Sequence, residues 1–78
     1  MNITDLNPGE TGLIIDIKFD ENLTRRTNGL GIRSGKVVVL IRTDLTGFNY
    51  HVRLGTTDLM MRKDIAENII IEPYGPQA

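Results

Sequence analysis

From Phe48 to Leu54 the chain alternates apolar and polar residues without a break, Phe48, Tyr50, Val52 and Leu54 against Asn49, His51 and Arg53. Successive side chains of a strand point to opposite faces, so this stretch is predicted to be a half-buried strand with the first set inward. The same period runs from Leu13 to Phe19, where Leu13, Ile15, Ile17 and Phe19 are expected inward, Asp16 and Lys18 outward, and Ile14 breaks the pattern. Lys36 to Arg42 is a β-branched run with Val37, Val39 and Ile41 on one face and Val38 and Leu40 on the other, the mark of a strand covered on both sides. Asp58 to Arg62 and Ile69 to Glu72 complete the set, with Gly55 turning the chain between the third strand and the fourth. Five short strands in 78 residues predict a small all-β fold, a five-stranded, partly open barrel. A chain of this length makes a single domain and buries only about 60% of the surface it exposes when unfolded, so no deep enclosed active site is expected.

One helix is expected between the first two strands. Asp20 or Asn22 can cap its start, Leu23, Arg26, Thr27 and Leu30 follow at helical spacing, and Gly31 is placed to end it in a left-handed C-cap. The stretch NGLGIRSGKVVV looks at first like a phosphate loop, but Gly31 to Gly35 is too short for G-x-x-x-x-G-K-[ST], and Val37 stands where the hydroxyl is needed. Ser34 occupies the position of the third glycine of G-x-G-x-x-G, so the dinucleotide fingerprint fails as well. The glycines are therefore read as helix exit and turn. Residues 62 to 68, RKDIAEN, form a single helical turn in this reading, and the tail PYGPQA is a flexible end.

Composition narrows the function. With no cysteine the chain can form no disulfide, thiolate nucleophile or cysteine-based metal site, which fits a reducing cytosol. The start MNITDLNPGE has neither a basic n-region nor an apolar h-region, and no run approaches the ~20 residues of a membrane span, so the protein is expected to be soluble and not exported. Nine basic residues against ten acidic give a net charge of −1, and no global field recruits nucleic acid. Catalysis has little to stand on. Ser34 is the sole serine and lies far in sequence from the sole histidine, His51, while Asp16 and Glu72, which could meet across a sheet, read as surface charges. His51 on a polar strand face, and Asp64 with Glu67 three residues apart on a turn, are weak candidates for a metal ion. Arg25, Arg26, Arg33 and Lys36 form the densest like-charged cluster, and with Leu30 as an apolar anchor they make the candidate partner-binding surface. The alternative is a small-barrel nucleic-acid binder, disfavoured because Phe19, Phe48 and Tyr50 are assigned inward and leave Tyr74 alone as an exposed stacking platform.

Three segments, LNPGETGLI, RRTNGLGIRSGKVVV and LTGFNYHVRLGTTDLMMRKDIAENIIIE, resemble the ferrous iron transport protein A family, FeoA, in the same order and with similar gaps over about residues 3 to 72. The resemblance is carried by Pro8, Gly9 and Glu10; by Arg26, Leu30, Gly31, Ile32 and Gly35; by Gly47; and by Leu59, Met61, Arg62, Lys63, Ala66 and Ile69. Thr27 stands where the family commonly has leucine, and Phe48 and Asn49 where many members have aspartate and proline. The resemblance implies an SH3-like barrel without cofactors, located in the cytoplasm. It also implies a non-catalytic partner of FeoB, the membrane transporter that carries a GTPase domain and moves Fe²⁺ inward. Arg25, Arg26, Leu30, Arg33 and Lys36 are then expected to meet that transporter's cytoplasmic domain, and open strand edges leave room for weak self-association.

Overall fold

The strands form where the alternation expects them, and glycines with turns separate them. The protein is seen in a computed structural model that describes residues 1–28 and 31–75. The chain begins with a 3-10 turn, Ile3–Asp5, and continues as β1 (Thr11–Ile17), α1 (Glu21–Asn28), β2 (Val37–Thr43), β3 (Asn49–Leu54), β4 (Thr57–Arg62), α2 (Lys63–Ala66) and β5 (Ile69–Pro73). One sheet in the order β4-β3-β2-β1-β5 contains all five strands, and every neighbouring pair is antiparallel. β4 and β5 therefore run the same way. Parallel strands in a flat sheet need a crossover of about a dozen residues. Here residues 63–68 suffice, because the sheet curls until the end of β4 approaches the start of β5. The result is a small, partly open SH3-like barrel.

The buried residues Ile14, Val38, Leu40, Val52, Met61, Ile69 and Ile71 line one continuous core, closed by Ile3 and Leu6 from the N-terminal segment and by Ile32 from the loop after α1. Val37, Val39 and Ile41 are half-buried on the opposite face of β2, as a strand covered on both sides requires. Three inward assignments need correction, those of Leu13, Ile15 and Phe48, Leu13 being only half-buried on the face opposite Gly12 and Ile14. In β1 it is Ile14 that is buried, at 1% exposure, while Ile15 is 47% exposed. A bulge between Ile14 and Asp16 in the pairing with β5 inserts a residue and shifts the phase, so Gly12 and Ile14 face inward before it and Ile17 and Phe19 pack on the core after it. Phe48 is 65% exposed, because the ladder starts only at Asn49. Before that point the Asp44 carboxylate gathers the N–H groups of Gly47, Phe48 and Asn49 at 2.9, 3.2 and 3.4 Å, and this loop geometry turns Phe48 outward.

The motif residues outside the strands have structural tasks. Glu10 accepts from the Asn7 N–H at 2.6 Å and closes the Pro8-Gly9 turn, whose backbone pairs with Leu40 on both sides. Asp20 caps α1 by accepting from the Leu23 N–H at 2.8 Å. Thr27 is buried at 6% exposure, and its hydroxyl donates to the carbonyls of Leu23 and Thr24, so a threonine in this apolar position leaves no polar atom unsatisfied. Gly31 has φ +78°, the left-handed conformation a helix exit favours, and a Cβ there would meet nothing within 4 Å. The Gly35 N–H donates to the Ile14 carbonyl and the Ile14 N–H to the Lys36 carbonyl, extending the β1–β2 ladder into the loop.

Gly12 is where the barrel is tightest. A Cβ at this position would sit 2.6 Å from Ile71 Cδ1 and 3.1 Å from Ile71 Cβ, and Ile71 is itself buried. Gly12→Ala is expected to lower stability by about 1–3 kcal/mol through overpacking. Adding Ile71→Val, which removes the Cδ1 methyl, should recover part of that loss, as read by chemical denaturation of the single and double variants. Gly31→Ala, with open space around it, is expected to cost only the backbone term of about 1 kcal/mol. A Gly31 variant as stable as the parent would remove the left-handed requirement at that position.

Candidate functional site

The polar residues singled out from the sequence fall on three parts of the barrel. The first is the outer face of the β3–β4 hairpin. The register sets Arg53 opposite Asp58 and His51 opposite Met60, so His51 lies diagonally across from Asp58. Arg53 donates to Asp58 through Nε at 2.6 Å and through Nη2 at 3.2 Å, and His51 Nε2 lies 3.2 Å from Asp58 Oδ2. The Arg53 hydrogen bonds, ahead of the contact with His51, hold the Asp58 carboxyl down at about 2. The carboxylate nearest the histidine is thus already occupied by a guanidinium. Among the described residues no three His, Asp or Glu side chains come together as a ligand set.

The second part is α2. Asp64 and Glu67 line an open hollow of about 410 Å³ together with Phe48, Arg62 and Lys63. The nearest approach between the charges of this group is Arg62 Nε to Asp64 Oδ1 at 3.9 Å. Two cations therefore share the hollow with the two carboxylates. Asp16 and Glu72 are not brought together: Asp16 pairs with Ile70 across the β1–β5 ladder and Glu72 with Leu13, while Lys18 reaches Asp16 at 3.7 Å.

The third part is the exit of α1. Arg25, Arg33 and Lys36 are all exposed. Arg25 borders a hollow of about 390 Å³ with Phe19, Glu21 and Thr24, and Lys36 borders another, of about 290 Å³, with Gly31, Val37, Leu54 and Thr57. None of these three cations takes part in an ion pair among the described residues. Leu30 and the side chain of Arg26 lie outside the described residues.

Sequence reasoning missed two features. Phe48 and Tyr74 are both exposed, at 65% and 49%, so Tyr74 is not the lone outward aromatic. The Arg53–Asp58–His51 cluster was also unseen, although the two-residue turn at Gly55-Thr56 fixes the hairpin register that creates it.

These features define a class: a small SH3-like β-barrel with an apolar core, charged side chains on its outside and two exposed aromatic residues, Phe48 and Tyr74. The sequence matches the FeoA domain over residues 1–73, and the chain belongs to the FeoA family, which is associated with ferrous iron transport. The fold is shared with the FeoA protein of Chlorobium tepidum, at a TM-score of 0.89 and 22% identity over 100% of this chain and 74% of that one. A FeoA-like protein of Clostridium acetobutylicum superposes at 0.86 with 19% identity, covering 100% of this chain and 91% of that one. The zinc-complexed FeoA of Stenotrophomonas maltophilia, described as a prokaryotic SH3 domain protein, superposes at 0.71 with 20% identity over 92% and 89% of the two chains. No curated protein matches by sequence. No helix among the described residues is long and apolar enough to cross a membrane.

Asp58 gives a pH test of the outer-face cluster. A carboxyl whose folded pKa is depressed adds stability above its unfolded value of about 3.9 and loses it as pH falls through the folded value. Asp58 is therefore expected to stay ionised down to about pH 2, its share of the stability fading from about pH 4 to about pH 2. Carboxyl-carbon NMR titration checks this. In Arg53→Ala the midpoint should move up toward the ordinary aspartate range.

Proposed function

We propose that this chain is a non-catalytic, cytoplasmic accessory module of ferrous iron uptake that binds the cytoplasmic part of a FeoB-type transporter. The observation that carries the reading is the set of exposed cations at the α1 exit, Arg25, Arg33 and Lys36, which form no ion pair among the described residues, on a barrel of the FeoA family. Cations without an internal partner are free to meet carboxylates on another surface, and arginines serve such contacts well because they also pack and hydrogen-bond. Arg26 and Leu30, close to these residues in sequence, belong to the same proposed surface. The zinc-bound relative from Stenotrophomonas maltophilia lends weak metal binding some support. At His51 a metal would displace the contact with Asp58 and sit beside Arg53, which disfavours that position electrostatically.

The outward Phe48 supplies one stacking surface of the kind a nucleic-acid binder uses, but it shares its hollow with Asp64 and Glu67. A phosphate backbone laid there would meet two carboxylates beside the two cations Arg62 and Lys63, so the hollow offers it no net attraction. The net charge of −1 gives no long-range attraction either.

Binding of the purified cytoplasmic domain of the transporter, followed by calorimetry, tests the assignment. Arg25→Glu combined with Arg33→Glu is expected to weaken binding about ten-fold or more, since both contacts turn from attraction to repulsion, with the thermal transition unchanged because both side chains are exposed. The parent complex should also weaken as salt is raised through physiological ionic strength. A doubly reversed protein that folds and binds as tightly as the parent excludes this surface. A parent that does not bind at all excludes the partner.

A further inference from the structure

The two edges of the sheet are protected unequally. β5 ends at Pro73, which offers no N–H, and its middle is covered by the N-terminal segment: Asn2 bridges Ile70, and the Ile71 N–H donates to the Met1 carbonyl at 2.8 Å. β4 has neither device. Thr57–Arg62 contains no proline and no lysine, its register with β3 runs without a bulge from Leu54↔Thr57 to Asn49↔Arg62, and among the described residues nothing pairs with its far side. Open edges are usually blunted by proline, lysine, a bulge or a covering segment, because a free row of N–H and C=O groups templates another strand.

The open groups can be read from the ladder. The Lys63 N–H donates to the Phe48 carbonyl at 2.8 Å, which continues the β3–β4 ladder by one pair and sets its alternation. Thr57, Leu59 and Met61 turn their main-chain groups toward β3, and Asp58, Met60 and Arg62 turn theirs outward. We propose that this edge pairs antiparallel with the same edge of a second copy, about a two-fold axis at Met60. Bonded pairs can form only between outward-turned residues. The register Asp58↔Arg62, Met60↔Met60, Arg62↔Asp58 engages all three from each copy; because the Arg62 carbonyl already accepts the first hydrogen bond of α2, each outer pair adds one bond and the central pair two, about four in all. A slip of two residues in either direction leaves two bonded pairs and sets Met60 against a charge.

The centred register is also complementary in charge. Directly opposed residues share a face, so each Asp58 meets the other copy's Arg62, and Met60, 65% exposed in the free chain, meets its own counterpart. Arg62 is held only loosely within its own chain, at 3.9 Å from Asp64. Asp58 retains acceptor capacity beyond its bonds to Arg53 and its contact with His51, since each carboxylate oxygen can accept two.

The absence of cysteine makes introduced thiols a clean probe. Met60→Cys is expected to form a disulfide-linked dimer on mild oxidation, because a bonded antiparallel pair holds its Cα atoms about 5.5 Å apart, within the reach of a disulfide. It should do so several-fold faster than Thr46→Cys, an exposed position in the β2–β3 loop. Sedimentation of the unmodified chain should show a monomer–dimer equilibrium, weakened about ten-fold in Arg62→Glu, which opposes carboxylate to carboxylate twice. A chain that sediments as a monomer at its highest soluble concentration, with Met60→Cys no faster than Thr46→Cys, overturns the proposal. So does a chain that is monomeric alone and gains hydrogen-exchange protection in β4 only when the transporter's cytoplasmic domain is added, since the edge then belongs to that partner. The readout is independent of transporter binding, so this inference and the proposed function can fail separately.

Discussion

The bend in β1 is the feature on which the rest of the barrel depends. This strand pairs with β2 through Thr11, Gly12 and Leu13, and with β5 along the whole of its length. Between Ile14 and Asp16 its pairing shifts by one residue, and a bulge of this kind bends a strand and adds twist. Without the bend the sheet would lie flatter and the connection through α2 could not join the end of β4 to the start of β5. The absence of a side chain at Gly12 serves the same end, letting Ile71 press against the backbone just before the bend. A second register shift, in β2 between Leu40 and Arg42 in its pairing with β3, adds to the bend in β1, and curvature, core and the short α2 link follow from the two together.

The sequence showed where the strands lie far better than which way they face. β3 read correctly from Tyr50 onward because it is regular and its alternation is unbroken. The apparent period of two in β1 misled because a bulge leaves no mark in composition: Leu13, Ile15, Ile17 and Phe19 look like one face, yet the phase changes among them. Ile14, the residue that broke the pattern, was the clue. Phe48 failed for a related reason. Alternation carries information only inside a ladder, and the Asp44 carboxylate organises the loop that precedes it. The glycines after α1 were legible at Gly31 and Gly35, both of which take the positive φ that glycine adopts most easily, while Gly29 lies outside the described residues.

The candidate surfaces were legible only as lists of residues. Which carboxylates are already occupied is a matter of register, and register follows from a two-residue turn whose consequences extend five residues back to His51. Arg53 on Asp58 and Asn49 on Asp44 show how charge is consumed locally on this barrel, each contact holding its carboxyl at about 2. The cations at the α1 exit stand apart from that pattern. Among the described residues Arg25, Arg33 and Lys36 form no ion pair, so on the proposed reading their charge remains available to another surface.

The loop after α1 and the start of β4 adjoin one another, since Gly31, Gly35 and Lys36 border the same hollow as Leu54, Gly55 and Thr57. Pairing about Met60 would place the two Thr57 residues at opposite ends of the joined strands, about 20 Å apart at 3.3 Å per residue. Each end would then carry one copy of the basic loop, facing away from the two-fold axis. The proposed self-pairing therefore leaves the proposed transporter surface open and presents it twice. Two linked sites raise the effective concentration of the second contact once the first has formed, provided the partner offers matching sites at that spacing. Single-copy affinity at the α1 exit need not be high for such a module to remain on a partner that offers two matching sites.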